Sequence, residues 1–241
     1  MATKIKMKTL KVQTIYPAFM GEVNEFGIGA PCVFVRLAGC NLRCYANRGM
    51  LCDTPEALSM KSGKEMTIGE IVTEVMSYGA NLVCLTGGEP LLQDVYDLLE
   101  QLNRWGISTV IETNGSVSIQ KYHRMDGVSF VVDVKGKDSG EDSKMLEENY
   151  KLLTAKDYVK FVINTESDFV DMYLWITKHK GVKCKVAVGL FWGSEITYKQ
   201  LFYLIKKYDV NVYVNMQTHK LTCLYDREKN NLSSLEVPRD L

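Results

Sequence analysis

Eight short runs rich in Val, Ile, Leu, Phe and Tyr recur along the chain, near 8–15, 33–37, 82–86, 108–112, 129–134, 158–163, 184–189 and 211–215. Five of the gaps between them carry apolar residues at helical spacing. Strands that alternate with helices of this length must cross back over the sheet, which predicts parallel βαβ units and an α/β fold. One helix is expected to begin at Thr67, where Thr67 and Glu70 form a T-x-x-E capping box ahead of Ile68, Ile71, Val72 and Val75. Another should run over 94–105, with Val95, Leu98, Leu99 and Leu102 on one face and Gly106 as its stop. Helical patterns also cover 144–154, 167–179 and 197–207.

The 241 residues, 46% of them hydrophobic, are enough to bury a core as one domain over 1–241, with a mobile tail expected over 226–241. The 29 basic and 29 acidic residues cancel, so no nucleic-acid or membrane-surface partner is indicated. No apolar run reaches the roughly 18 residues that a spanning helix needs. The opening MATKIKMKTLKVQTIY lacks an apolar core with a cleavage site. Seven cysteines, an odd number, suit a reducing compartment. The expectation is a cytoplasmic protein.

Chemistry concentrates first in VFVRLAGCNLRCYANRGMLCDT, where Cys40, Cys44 and Cys52 share one loop (40–54) after a strand. Three thiolates without a fourth suit a four-iron–four-sulfur cluster with one iron left open. A zinc knuckle short of one ligand, or plain buried thiols, would give the same pattern. Further on, LVCLTGGEPLL ends a strand in Gly87 and Gly88, where the missing Cβ lets backbone approach a ligand. Glu89 there offers an acceptor for a cationic amine, and Pro90 redirects the chain.

In parallel sheets, ligands gather at the carboxyl ends of strands. Cys40, Thr86-Gly87-Gly88, Glu112-Thr113-Asn114, Asp133-Val134-Lys135 and Gln217-Thr218-His219 each end a predicted strand. Five such ends on one rim mark a single site. The remaining cysteines, Cys32, Cys84, Cys184 and Cys223, lie in apolar or strand contexts without a short-spaced partner and read as packing. His123 and His179 read as solvated or helix-end groups.

Taken together, these motifs resemble the radical S-adenosylmethionine enzymes. The stretches YPAFMGEVNEFGIGAPCVFVRLAGC, VVDVKGKDSGE with YVKFVI, and NMQTHKL are similar to the 7-carboxy-7-deazaguanine synthases in particular, in order, over residues 16 to 221. The resemblance implies a partial, shortened (β/α) barrel of the radical S-adenosylmethionine type. It implies three cofactors: a 4Fe-4S cluster on Cys40, Cys44 and Cys52, S-adenosyl-L-methionine held by Gly88, Glu89, Asn114, Asp133 and Lys135, and Mg2+ on Thr54. The implied substrate is 6-carboxy-5,6,7,8-tetrahydropterin, contacted by Phe19, Met20, Gly21, Glu22, Arg36, Thr86, Gln217 and His219. The implied reaction is its radical ring contraction to 7-carboxy-7-deazaguanine with loss of ammonia. A flavodoxin or ferredoxin donor and a homodimer follow from the same resemblance.

Two departures stand out. The loop is C-x3-C-x7-C where the superfamily usually has C-x3-C-x2-C, so an insertion occupies 45–51. Gly136-Lys137 stands where relatives often carry a proline after the DVK-type strand. A glycyl-radical activase would share the cysteines, GGEP and the DVK-like strand, but not the Q-x-HK ending. A non-catalytic iron–sulfur or zinc module is the remaining alternative.

Overall fold

The computed structural model describes residues 7–46, 49 and 52–218, which form nine strands and five α-helices. The strands are β1 (Thr9–Phe19), β2 (Pro31–Leu37), β3 (Lys64–Thr67), β4 (Leu82–Gly87), β5 (Ser108–Thr113), β6 (Val128–Val134), β7 (Tyr158–Ile163), β8 (Lys185–Leu190) and β9 (Tyr213–Val214). The helices are α1 (Ile68–Ser77), α2 (Tyr96–Arg104), α3 (Glu147–Leu152), α4 (Glu166–Lys178) and α5 (Tyr198–Lys207).

All nine strands join one sheet in the order β3-β1-β2-β4-β5-β6-β7-β8-β9. From β2 to β9 every pairing is parallel, whereas β1 runs antiparallel to both β2 and β3. With β3 and β9 as open edges, the order is that of a partial (β/α) barrel. Pro17 is tolerated because β1 has no partner beyond β2 at that point, β3 ending its pairing at Val12.

Each strand alternates between two cores. Val35, Leu85, Ile111, Val132, Val159 and Val188 pack with the buried faces of α1, α2, α4 and α5. In α2 that face is Leu98, Leu99 and Leu102, each buried, and each contributes about 1.5–3 kcal/mol by leaving water. The opposite face carries Phe34, Cys84, Val110, Val131, Tyr158 and Ala187, capped by Met20 and Val23 from the loop after β1.

The capping box at α1 forms as expected: the Thr67 hydroxyl accepts from Glu70 N–H at 3.2 Å, and the Glu70 carboxylate accepts from Thr67 N–H at 2.7 Å. α4 and α5 repeat the device with Thr165 and Asp168, and with Thr197 and Gln200. Gly106 follows α2 with φ +70°, the left-handed backbone that stops a helix. Two elements depart from the sequence expectation. β3 was not foreseen. The last strand, expected to be buried, is a two-residue edge whose Tyr213 is 50% exposed, because no further strand covers it.

Candidate active site

The loop after β2 carries Cys40 at its start, and burial raises the Cys44 and Cys52 thiols. Each of those two thiols lies within electrostatic reach of Cys40 and of the Lys135 ammonium, so the three thiols and this lysine share one corner. Among the described residues, no three His, Cys, Asp or Glu side chains are gathered as a single metal ion would need. Three thiols on one loop, without a fourth, are the donor set that a four-iron–four-sulfur cluster with one open iron takes.

The glycines of GGEP serve the protein's own packing. A Cβ on Gly88 would stand 2.5 Å from the Gly39 carbonyl oxygen and 2.7 Å from the Cys40 Cβ. The room that glycine frees is therefore filled by the cysteine turn, and Glu89 N–H donates to Gly39 at 2.8 Å to hold it there. The Glu89 side chain is fully buried. Its carboxylate accepts from Leu91 N–H (3.0 Å), the Thr113 hydroxyl (2.9 Å) and Asn114 N–H (2.7 Å). Burial outweighs these bonds and pushes the carboxyl up to about 7. Asn114 in turn points its amide at the Cys40 Sγ, 3.8 Å away.

The cysteine loop, including the start of its enlarged part, is seated by residues after β6 and β8. Arg43 N–H donates to the Glu141 carboxylate at 2.5 Å, and Tyr45 N–H donates to the Ser139 carbonyl at 2.8 Å. Tyr45 has φ +62°, and its ring meets that of Phe191 at 4.7 Å. The Gly136-Lys137 departure thus lies in the turn that receives the insertion, with Lys137–Ser139 forming a single 3-10 turn.

Strand register builds the rest of the site. Arg36 on β2 is paired with Thr86 on β4, and Asp133 on β6 with Lys160 on β7. Between them, Glu112 continues the row that begins with Cys84 and Val110 on β4 and β5. Five polar side chains on neighbouring strands therefore lie just above the apolar patch of Cys84, Val110, Val131 and Tyr158. Arg36 donates weakly to the Thr54 hydroxyl (3.5 Å) and to the Tyr16 hydroxyl (3.4 Å), which ties the strand to the cysteine loop. Thr54 also donates to the Asp53 carboxylate at 3.3 Å. Burial raises the Glu112 carboxyl to about 7, with Glu22 adding repulsion.

A network of charges crosses the floor. The Lys160 ammonium contacts the Glu22 carboxylate and lies 3.1 Å from Asp133, which Lys135 holds from the other side at 2.5 Å. These lysines overcome burial and keep the Glu22 and Asp133 carboxyls below their usual range. Glu22 also accepts from the Gln217 amide at 2.9 Å. Gln217, with φ +42°, brings the chain after β9 onto the loop after β1, where Thr218 N–H donates to the Gly21 carbonyl at 2.8 Å. Met20 spends its N–H on Ala30 and its carbonyl on Gly29, and Phe19 is 52% exposed at the end of β1.

The sequence-selected residues Cys40, Cys44, Cys52, Thr54, Arg36, Thr86, Gly88, Glu89, Asn114, Asp133 and Lys135 thus lie along the ends of β2, β4, β5 and β6. Met20, Gly21, Glu22 and Gln217 form the adjoining wall. His219, Cys223, the tail over 226–241 and part of the 45–51 insertion lie outside the described residues. Cys32, Cys84 and Cys184 are buried thiols, as expected. His179 closes α4, its ring bonded to the Trp175 carbonyl and to Glu147. Sequence reasoning missed Lys160 and Glu141 and gave Glu112 no role of its own. The signal for Lys160 was a lysine inside the apolar run YVKFVI.

Comparison with known proteins identifies the family. Residues 26–151 match the model of a 4Fe-4S single cluster domain, a span that includes Cys40, Cys44 and Cys52. The 7-carboxy-7-deazaguanine synthase of Methanospirillum hungatei is 33% identical over 88% of this chain and 84% of that protein. The chain belongs to the 7-carboxy-7-deazaguanine synthase family. The Thermoplasma acidophilum member of that family is 32% identical over 87% of this chain and 95% of its own length. Among solved structures, QueE from Escherichia coli superposes with a TM-score of 0.69 over 88% of this chain and 95% of that one, at 18% identity, and supports the fold. Within the 7-carboxy-7-deazaguanine synthase family, this chain seats its long C-x3-C-x7-C loop on Ser139, Glu141 and Phe191.

Proposed function

We propose that the chain converts 6-carboxy-5,6,7,8-tetrahydropterin to 7-carboxy-7-deazaguanine with release of ammonia, as a radical S-adenosylmethionine lyase supplying queuosine-type nucleosides. One observation carries this reading: the three thiols share a rim with the GGEP turn and with a row of fixed charges suited to a zwitterionic nucleoside and an anionic pterin. Cys40, Cys44 and Cys52 hold the 4Fe-4S cluster. Gly88 and Glu89 border the methionine end of S-adenosylmethionine, and Asn114, Asp133 and Lys135 its nucleoside. When bound, cluster and S-adenosylmethionine supply the one-electron chemistry that opens the reaction.

The protein's share is binding and exclusion of water. Arg36 pairs its planar fork with the pterin carboxylate. Glu22, ionised beside Lys160, accepts from the guanidine-like edge, and Phe19 and Gly21 border it with backbone. Met20 backs them from the core, with its own backbone groups bonded to Gly29 and Ala30, and Thr86, Gln217 and His219 add contacts. The Thr54 hydroxyl, flanked by Asp53, is the protein's ligand to Mg2+, an ion that favours oxygen donors and retains water. Phe34, Val110 and Val131 underlie the polar row and keep that side of the pocket dry. Flavodoxin or ferredoxin serves as reductant, and the assembly is a cytoplasmic homodimer. No helix among the described residues is long and apolar enough to cross a membrane.

The test is anaerobic reconstitution of the cluster, followed by 5′-deoxyadenosine measurement with and without the pterin. Formation that depends on the pterin is expected. No formation at all, or formation that ignores the pterin, would overturn the assignment.

A further inference from the structure

Lys160 is the one ammonium of the floor that touches both halves of the site. It stands mid-strand in β7 with its side chain 8% exposed, between Glu22 from the loop after β1 and Asp133 on β6. Glu22 passes the connection on to Gln217, and Asp133 to Lys135. Glu112 faces the same ammonium from β5. Removing a cation buried between two carboxylates leaves charge without compensation, which costs more than the bond itself gains.

We propose that Lys160 is a positioning residue that fixes Glu22 for the substrate and Asp133 for the nucleoside with a single ammonium, so that the two binding sites are set together. This rests on the assignment of Glu22 to the pterin given above. Three carboxylates surround Lys160, and only Glu22 and Asp133 are bonded to it. Glu112 lacks such a bond, and its own donor is the Cys84 thiol. The ammonium therefore selects which acids of the pocket stay ionised. An ionised Glu22 can accept from substrate N–H groups, and a protonated one would present a donor where a donor already stands.

The experiment measures pterin affinity by equilibrium dialysis from pH 6 to 9 on the reconstituted enzyme. Wild type is compared with Lys160→Met, Lys160→Arg, Glu22→Gln and the double variant Glu22→Gln/Lys160→Met. Lys160→Met should weaken pterin binding about tenfold or more near pH 6.5, the scale of a broken buried charge pair. Part of that affinity should return by pH 9. Its Glu22, left beside Asp133 and Glu112 without a cation, takes up a proton at the lower pH and releases it at the higher one. Lys160→Arg should keep the wild-type profile, including whatever part of it the Glu112 titration supplies. The double variant should bind no more weakly than Glu22→Gln alone, since the two residues act through one contact.

Wild-type affinity in Lys160→Met, or additive losses in the double variant, would overturn the proposal while leaving Glu22 as a pterin ligand. Wild-type affinity in Glu22→Gln would instead remove the pterin assignment of Glu22, and the role of Lys160 with it. Should Lys160→Met fail to fold, the double variant and Lys160→Arg decide the matter, because neither buries an unpaired Glu22 charge.

Discussion

The Thr113 hydroxyl donates to the Glu89 carboxylate at 2.9 Å, joining the end of β5 to the turn after β4. With Leu91 N–H and Asn114 N–H on the same carboxylate, Glu89 is a clasp beneath the cysteine turn. Glu89→Ala would leave these three buried donors without an acceptor. It should cost about 3–5 kcal/mol in denaturant unfolding, at roughly 1–3 kcal/mol per orphaned group and with partial relaxation. Iron content should fall as well, because Asn114 and Gly88 both abut Cys40. Wild-type stability and iron in Glu89→Ala would show that the residue acts on ligand alone.

Acid–base linkage gives a second expectation. Burial first, and Glu22 next, raise the Glu112 carboxyl from 4.5 to about 7 in the fold. The folded chain then holds that proton more tightly than the unfolded one, so stability falls as pH rises from about 4.5 to 7 and levels off above. Glu112→Gln should remove about 1–2 kcal/mol of the loss between pH 5.5 and 8, since about 1.5 pH units of that window lie below the raised value, at about 1.4 kcal/mol per unit, discounted for partial exposure. Equal slopes in the two proteins would contradict the assignment.

Arg36→Lys keeps the charge and loses the fork. The pterin KM should rise by a factor corresponding to about 1.5–3 kcal/mol, the scale of a hydrogen bond to a charged group. Cleavage of S-adenosylmethionine without turnover should survive. An unchanged KM would refute the carboxylate contact.

Thr54→Val retains shape and removes the hydroxyl that lies 3.5 Å from Arg36. Activity of the wild type should rise with added Mg2+, and the variant should lose that response while keeping its cluster chromophore. A wild-type Mg2+ response in Thr54→Val would assign the ion to other oxygens.

Most of the sheet was legible because its strands are apolar β-branched runs punctuated by capped helices. β3 was not, since KEMT is short, carries two charges and is defined by its partner β1 rather than by its own pattern. β9 looked buried from its valines, yet only neighbours on both sides bury a strand. In the site, the cysteine triad and GGEP were readable because short spacing forces them together. The role of Lys160 was hidden because its partners Glu22 and Asp133 meet it only through sheet register and the fold of a distant loop. The glycines of GGEP were read as room for a ligand, whereas the Cys40 turn fills that room at Gly88. Nothing in the cysteine spacing indicated that Glu141 would hold Arg43, between Cys40 and Cys44, or that Ser139 would hold Tyr45 at the start of the insertion.

The most direct test of the account is product analysis with the anaerobically reconstituted chain, a chemical reductant, S-adenosylmethionine and 6-carboxy-5,6,7,8-tetrahydropterin. Mass spectrometry and an ammonia assay are run on wild type and on the Ala variants of Cys40, Cys44, Cys52 and Cys84. The account predicts 7-carboxy-7-deazaguanine and ammonia in a one-to-one ratio from wild type and from Cys84→Ala, which keeps its cluster and loses about 1–3 kcal/mol of stability through packing and the thiol's bond to Glu112. It predicts neither product nor brown chromophore from the other three variants. Pterin left unconverted by a fully loaded wild type, or product from a Cys44→Ala chain, would contradict it.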